Sequence, residues 1–169
     1  MRTLYLLRHA KSSWSDTTLV DRERPLAPRG RRDAKRVGEH LVRRGVQPEL
    51  VLCSPAVRTR ETLERLGGAL GPDATVRYEE ELYAASWTSL LEVLHGVSDS
   101  VASVMLVGHN PSLEELARAL ASSGPELARL EAKFPTGALA TLSVATAAWE
   151  ELSDGDAVLA EFVVPRELG

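Results

Sequence analysis

Two histidines and two arginines stand where apolar runs of the sequence end. Arg8-His9 closes the run from Thr3 to Leu7, Ser54 to Arg58 follows Leu50 to Cys53, and Gly108-His109 closes Val101 to Val107. Guanidinium groups offer planar forks of donors and imidazoles offer single donors, a set suited to the oxygens of a phosphate. Ser54-Pro55 also has the residue types of a helix N-cap and first helical position, and a helix start there would add free backbone amides and a favourable dipole. Gathered in one place, these groups would bind an anion, with phosphate as the natural ligand. No carboxylate and histidine cluster has metal-ligand spacing, so neither a metal nor a cofactor is expected.

Gathering them requires that the apolar runs be strands of one sheet with their carboxyl ends together. The runs at Thr3–Leu7, Leu50–Cys53, Thr75–Tyr78 and Val101–Val107 read as buried strands. Between them lie segments of helical period: Gly30 to Gly45, with Ala34, Val37, Leu41 and Val42 as its apolar stripe, Ser54 to about Leu70, and Ser86 to Val97. A fourth helix follows Asn110, from Pro111 to about Ala121. Ala138–Val144 and Ala157–Val164 read as a last antiparallel pair, with Ser153-Asp154-Gly155-Asp156 as a turn between them. Ala10 to Arg29 has neither period and reads as a long loop, a type of segment often functional. Alternating strands and helices imply an α/β fold: three α/β/α layers around a mainly parallel sheet, with ligands at the strands' carboxyl ends.

The 169 residues suit one domain over 1–169, and 44% hydrophobic with 26% charged residues excludes wholesale disorder. Twenty Lys and Arg against 24 Asp and Glu give a net charge of -4, without the global positive field of a non-specific nucleic-acid binder. No GxxxxGK[ST] or GxGxxG sequence follows any strand, which sets nucleotide binding aside. The one cysteine, Cys53, points to a reducing compartment, and the short apolar run before Arg8 suits neither a signal-peptide core nor a membrane span, so the expected location is the cytoplasm.

The motifs LYLLRHAKSSW, DRERPLAPRGRRDA, SPAVRTRET, VGHNPSLEEL and VVPREL together resemble the histidine phosphatase superfamily, of phosphoglycerate mutase-like fold, and within it the small SixA-like branch. The resemblance spans nearly the whole chain. It implies that His9 attacks phosphorus and becomes transiently phosphorylated, while Arg8, Arg58 and His109 bind the phosphoryl oxygens and Ser12 stands where the family often has a serine. It further implies hydrolysis of phosphohistidine on a partner protein, with a metal-independent phosphatase of small phosphomonoesters as the alternative. It assigns no oligomeric state. The ring nitrogen of His9 that does not attack should donate to a carbonyl, fixing the tautomer.

Larger family members protonate the leaving oxygen with a carboxylic acid near the third strand, where this chain has Glu79, Glu80 and Glu81; Glu80 is the candidate acid. The family's Asn six residues after the nucleophile is Ser15 here. Of the two arginines in SPAVRTRET, the spacing Ser54, Arg58, Thr62 selects Arg58 over Arg60. His40 and His95 lie in amphipathic helices without a motif and are left without chemistry. Arg29-Gly30-Arg31-Arg32 reads as the exposed start of a helix.

Overall fold

A computed structural model describes residues 1–169. Seven strands form one sheet: β1 (Arg2–Arg8), β2 (Leu50–Cys53), β3 (Thr75–Tyr78), β4 (Ser103–Gly108), β5 (Ala121–Ser123), β6 (Leu139–Val144) and β7 (Ala157–Val163). Their spatial order is β3-β2-β4-β1-β6-β7-β5. The pairs β3/β2, β2/β4 and β4/β1 are parallel, β1/β6 and β6/β7 are antiparallel, and β5 joins β7 in parallel. A mostly parallel half thus carries the strand ends of interest, and an antiparallel half closes the other side.

Side chains alternate across this sheet and divide the core in two. Leu4, Leu6, Leu50, Leu52, Val104 and Leu106 face one side, under α3 (Trp87–His95), α4 (Ser112–Leu120) and α5 (Leu127–Ala132). Leu7, Val51, Cys53, Met105 and Val107 face the other, under α1 (Pro28–Arg43) and α2 (Val57–Arg65). Helices on both faces explain why the central strands read as unbroken apolar runs: each residue of β2, and each of β4 after Ser103, is buried.

Register fixes where the chemistry falls. Arg8 pairs with Gly108 and Cys53 with Val107, so β1, β4 and β2 end level with one another. The backbone continues the ladder one step further, with His9 N–H donating to the Gly108 carbonyl at 3.1 Å and Ser54 N–H to the Val107 carbonyl at 3.0 Å.

Several boundaries differ from the sequence reading. α2 begins at Val57 with Ala56 as its N-cap, because Ser54 has another partner, and it stops at Arg65 before a 3-10 turn over Gly67–Leu70. β4 starts at Ser103; the carbonyl of Val101 instead accepts from Arg2 Nη1 and Trp149 Nε1. α1 starts at Pro28, and Gly45 follows its end with φ +66°, as a glycine terminating a helix does. The short β5 and α5 carry too few residues to show a period and went unread. The loop from Ala10 to Arg29 is more ordered than its composition suggests: Ser13 N–H bonds Pro25 O at 2.8 Å, Ala27 N–H bonds Lys11 O at 2.9 Å, and Asp21–Glu23 forms a 3-10 turn.

Candidate active site

The nucleophile candidate is held on three sides. His9 Nδ1 lies 2.7 Å from the Ala10 carbonyl, which can only accept, so Nδ1 carries the proton and Nε2 keeps its lone pair. The His9 carbonyl accepts from Gly137 N–H at 2.9 Å. Ala10 is itself pinned, its N–H donating to Thr62 Oγ1 at 3.0 Å, while the Thr62 hydroxyl donates to the Arg58 carbonyl at 2.7 Å. Burial pushes the His9 imidazole down to about 3, with the Ala10 bond opposing and His109, Arg58 and Arg8 adding to the shift. At neutral pH the ring is uncharged and nucleophilic.

His109 faces His9 with ring centroids 5.3 Å apart and is likewise pushed down to about 4, first by burial and then by Arg58, with Asp21 opposing. Its Nε2 lies 2.8 Å from Ser54 Oγ. That hydroxyl also accepts from Ala56 N–H at 3.3 Å, so Ser54 ties the His109 ring to the backbone at the start of α2. Its Nδ1 is buried and without a partner, a polar atom left for an incoming phosphoryl group to satisfy.

The arginines complete the cluster. Arg8 donates from Nη1 to the Phe134 carbonyl at 3.0 Å, which Asn110 of the VGHN motif also grips at 2.9 Å, and its buried Nε has no partner. Arg58 is buried; its Nη1 donates to Asp21 O at 2.8 Å and its Nη2 to Asp21 Oδ2 at 3.0 Å. Arg60 turns away and stacks over Tyr78 at 5.0 Å, as the spacing predicted. The Ser54, Arg58, Thr62 pattern thus has a physical meaning: one residue bonds the His109 ring, one supplies a guanidinium, and one holds the backbone that holds His9.

The long loop contributes more than was foreseen. Asp21 accepts from Tyr83 Oη at 2.7 Å, from Arg58, and from Arg24 Nη1 at 2.9 Å, and these bonds, the tyrosine's first, hold its carboxyl at about 2. Asp21 in turn raises the Tyr83 phenol, which stays protonated as the donor. Arg24 is buried, stacks on exposed Trp14 at 3.2 Å, and donates to Ser12 Oγ at 2.5 Å. Sequence reasoning quoted DRERP only as part of a resemblance and gave Asp21, Arg24 and Tyr83 no role; the acid and base of Asp21 and Arg24 three residues apart was the available signal.

Arg8, His9, Arg58 and His109 therefore come together. Ser12 is buried beside them, with its hydroxyl occupied by Arg24. Ser15 is exposed and bonds Ser13. Glu80 stands outside the cluster: its side chain is 68% exposed and paired with Arg22, a bond that lowers its carboxyl and keeps it ionised. Glu79 pairs with Arg77 at 3.0 Å, and exposed Glu81 joins Glu79 in lining a separate cavity beside α3. His40 bonds Glu161 and His95 bonds the Leu152 carbonyl, both apart from the cluster.

A neutral imidazole nitrogen among two guanidiniums and a second histidine, at the level ends of three strands, has the donors and the charge to hold a phosphoryl group. The sequence model of the histidine phosphatase superfamily (branch 1) matches residues 4–91, and the chain belongs to that family. Within it the chain falls in the SixA-like branch, on the phosphoglycerate mutase-like fold. A Mycobacterium tuberculosis protein, Rv1276c, is 42% identical over 164 residues, covering 95% of this chain and 100% of the relative. Among solved structures, one from Nakamurella multipartitia that is described by name only as a SixA phosphohistidine phosphatase shares 32% identity, with TM-score 0.82 over 97% of this chain and 96% of that one. Another so described, from Agrobacterium tumefaciens, shares 30% identity with TM-score 0.80, covering 97% and 98% of the two chains.

Proposed function

We propose that this protein hydrolyses phosphohistidine on proteins through a covalent intermediate at His9. The observation that carries the reading is the Nδ1–H of His9 bonded to the Ala10 carbonyl, which leaves Nε2 as a neutral nucleophile inside a cationic cluster. In the first step Nε2 attacks phosphorus in line, the phosphorus–nitrogen bond of the substrate breaks, and the departing imidazole takes up a proton. Arg8, Arg58 and His109 meet the charge on the non-bridging oxygens. In the second step water attacks the phosphoryl group on His9, releasing phosphate and restoring the neutral ring.

Two features support a phosphohistidine over a phosphate ester. An imidazole leaving group has an ordinary pKa of about 6.5 and departs with far less acid assistance than an alkoxide. The acidic candidates of the chain are consistent with that lower demand, since Glu80 is held ionised at the rim by Arg22 and Asp21 is held ionised by Tyr83, Arg58 and Arg24. The connection from β3 to α3, Glu79–Ser86, is also short for a lid over a small substrate, which leaves access for a histidine on a protein surface.

The test is phosphate release, in chelator, from a phosphohistidine-bearing protein and from a panel of small phosphomonoesters, with wild type and His9→Ala. His9-dependent release from the phosphohistidine protein alone is the expected result. Preference for a small ester would move the function to the alternative, a metal-independent phosphatase of small phosphomonoesters.

A further inference from the structure

The sequence Arg29-Gly30-Arg31-Arg32 is the exposed start of α1, but the fold adds to it. Arg29, Arg32 and Arg36 lie on one face of that helix and form one wall of a groove of about 530 Å³. Lys11 adds to it from the loop after β1, and Lys133 and Arg166 add to it from the segments after α5 and β7. Arg8 lines the same groove, which places the groove next to the phosphoryl site. Asp33 is the one acidic residue of the lining, and it is already engaged, 3.7 Å from Arg29 Nε and 3.4 Å from Arg36 Nη1. Lys11, Arg32, Lys133 and Arg166 are exposed, and none forms an ion pair.

On a chain of net charge -4, this concentration of one sign works against the fold through self-repulsion, and Lys11, Arg32, Lys133 and Arg166 gain no ion pair in return. We propose that the groove docks an acidic segment of the phosphoprotein substrate, flanking the phosphorylated residue; this rests on the phosphoprotein reading above. Charge complementarity names the class of occupant. The form of the site narrows it: the cations are solvated and spread along two walls, where a small polyanion would call for buried donors converging on one point. The lining holds no aromatic ring on which nucleic-acid bases could stack. An extended carboxylate-bearing chain entering along the groove would deliver its phosphoryl group past Arg8 to His9.

The experiment uses the full chain and the triple variant Arg32→Glu, Lys133→Glu, Arg166→Glu, none of which belongs to the catalytic cluster. A neutral triple, with Gln at the same positions, guards against an effect of misfolding. On a phosphohistidine protein with an acidic flank, kcat/KM of the charge-reversed variant should fall about 10-fold or more at low salt, chiefly through KM, and by less in the neutral triple. The gap should close as salt rises to about 500 mM, where the screening length is only a few ångströms. Turnover of phosphoramidate, which has no flank, should stay unchanged. In parallel, a labelled decaglutamate should bind the wild type at low salt and not the charge-reversed variant, a readout independent of turnover.

Binding of decaglutamate without any phosphohistidine turnover would keep the groove and remove the phosphohistidine reading. Equal kcat/KM of all variants on the phosphoprotein would overturn the groove alone, as would an equal loss on phosphoramidate. Competition by tripolyphosphate with no binding of decaglutamate would also overturn it, in favour of a small polyanion.

Discussion

Acidification separates His9 from an ordinary histidine more sharply than any substitution. A free imidazole, with a pKa of about 6.5, is only about 3% neutral at about pH 5. His9 is held down to about 3 by burial and by its cationic neighbours, which leaves about 99% of it neutral at that pH. The available nucleophile should therefore differ by about 30-fold between the two cases. His109, held down to about 4, should still be about 90% neutral there, so its bond to Ser54 keeps its place. Two assays read this out. Ring resonances of the free enzyme followed against pH, assigned with His9→Ala and His109→Ala, give the midpoints directly. Single-turnover formation of the phosphoenzyme, compared at about pH 7.5 and about pH 5, gives the kinetic consequence, an acid-side loss of less than about 2-fold from the ionisation of His9. A His9 midpoint near the ordinary imidazole value, with a matching loss of rate at about pH 5, would refute the reasoning that burial keeps this ring neutral.

The same ionisations bear on stability. Because His9 and His109 have folded pKa values below the unfolded one, the unfolded chain takes up their protons first. Stability is kept above about pH 6.5 and is lost as pH falls toward about 4, at about 1.4 kcal/mol per histidine per pH unit, measurable by urea unfolding at a series of pH values. Thr62→Val removes the acceptor of the Ala10 amide in a buried place and should cost about 1–3 kcal/mol by the same unfolding assay, with kcat reduced because Ala10 orients His9. Gly30→Ala would place a methyl 2.0 Å from the Lys11 carbonyl, so α1 and the loop that follows His9 must separate; a loss of about 1–3 kcal/mol and a lower kcat are expected. Glu80→Gln should change kcat on phosphohistidine by less than about 2-fold, since its carboxylate is exposed and bound to Arg22.

What the sequence revealed and what it hid divide along physical lines. The strands β2 and β4 were legible because nearly every position is buried on one face or the other and must be apolar, and β1 because Leu4, Leu6 and Leu7 are buried; the polar groups after their ends then marked Arg8, His9, Ser54, Arg58 and His109. Arg58 could be told from Arg60 because helical spacing puts Arg58 and Thr62 on one face. The roles of Asp21, Arg24 and Tyr83 went unread, since beyond the spacing of Asp21 and Arg24 they come from a loop without period that folds back through hydrogen bonds of Ser13 and Ala27 to distant backbone. The start of α2 was misplaced because Ser54 has the composition of a cap while its hydroxyl serves His109, a contact across 55 residues. Glu80 was the candidate acid by its place near the third strand, but β3 ends at Tyr78 and Glu80 opens a 3-10 turn that turns its side chain out to Arg22. The arginines of α1 read correctly as a helix start; their convergence with Lys133 and Arg166 depends on how α1 meets the segments after α5 and β7.

The claim at the centre of this account is that phosphorus passes through Nε2 of His9. Rapid mixing of the enzyme with a phosphohistidine substrate, quenching in alkali, and peptide mapping by mass spectrometry would locate any phosphoryl group on the chain. An alkali-stable, acid-labile phosphoryl group on His9 should form and decay at rates competent for turnover, and should be lost together with phosphate release in His9→Ala. Release of phosphate by His9→Ala at the wild-type rate, or turnover without phosphorylation of His9, would contradict it.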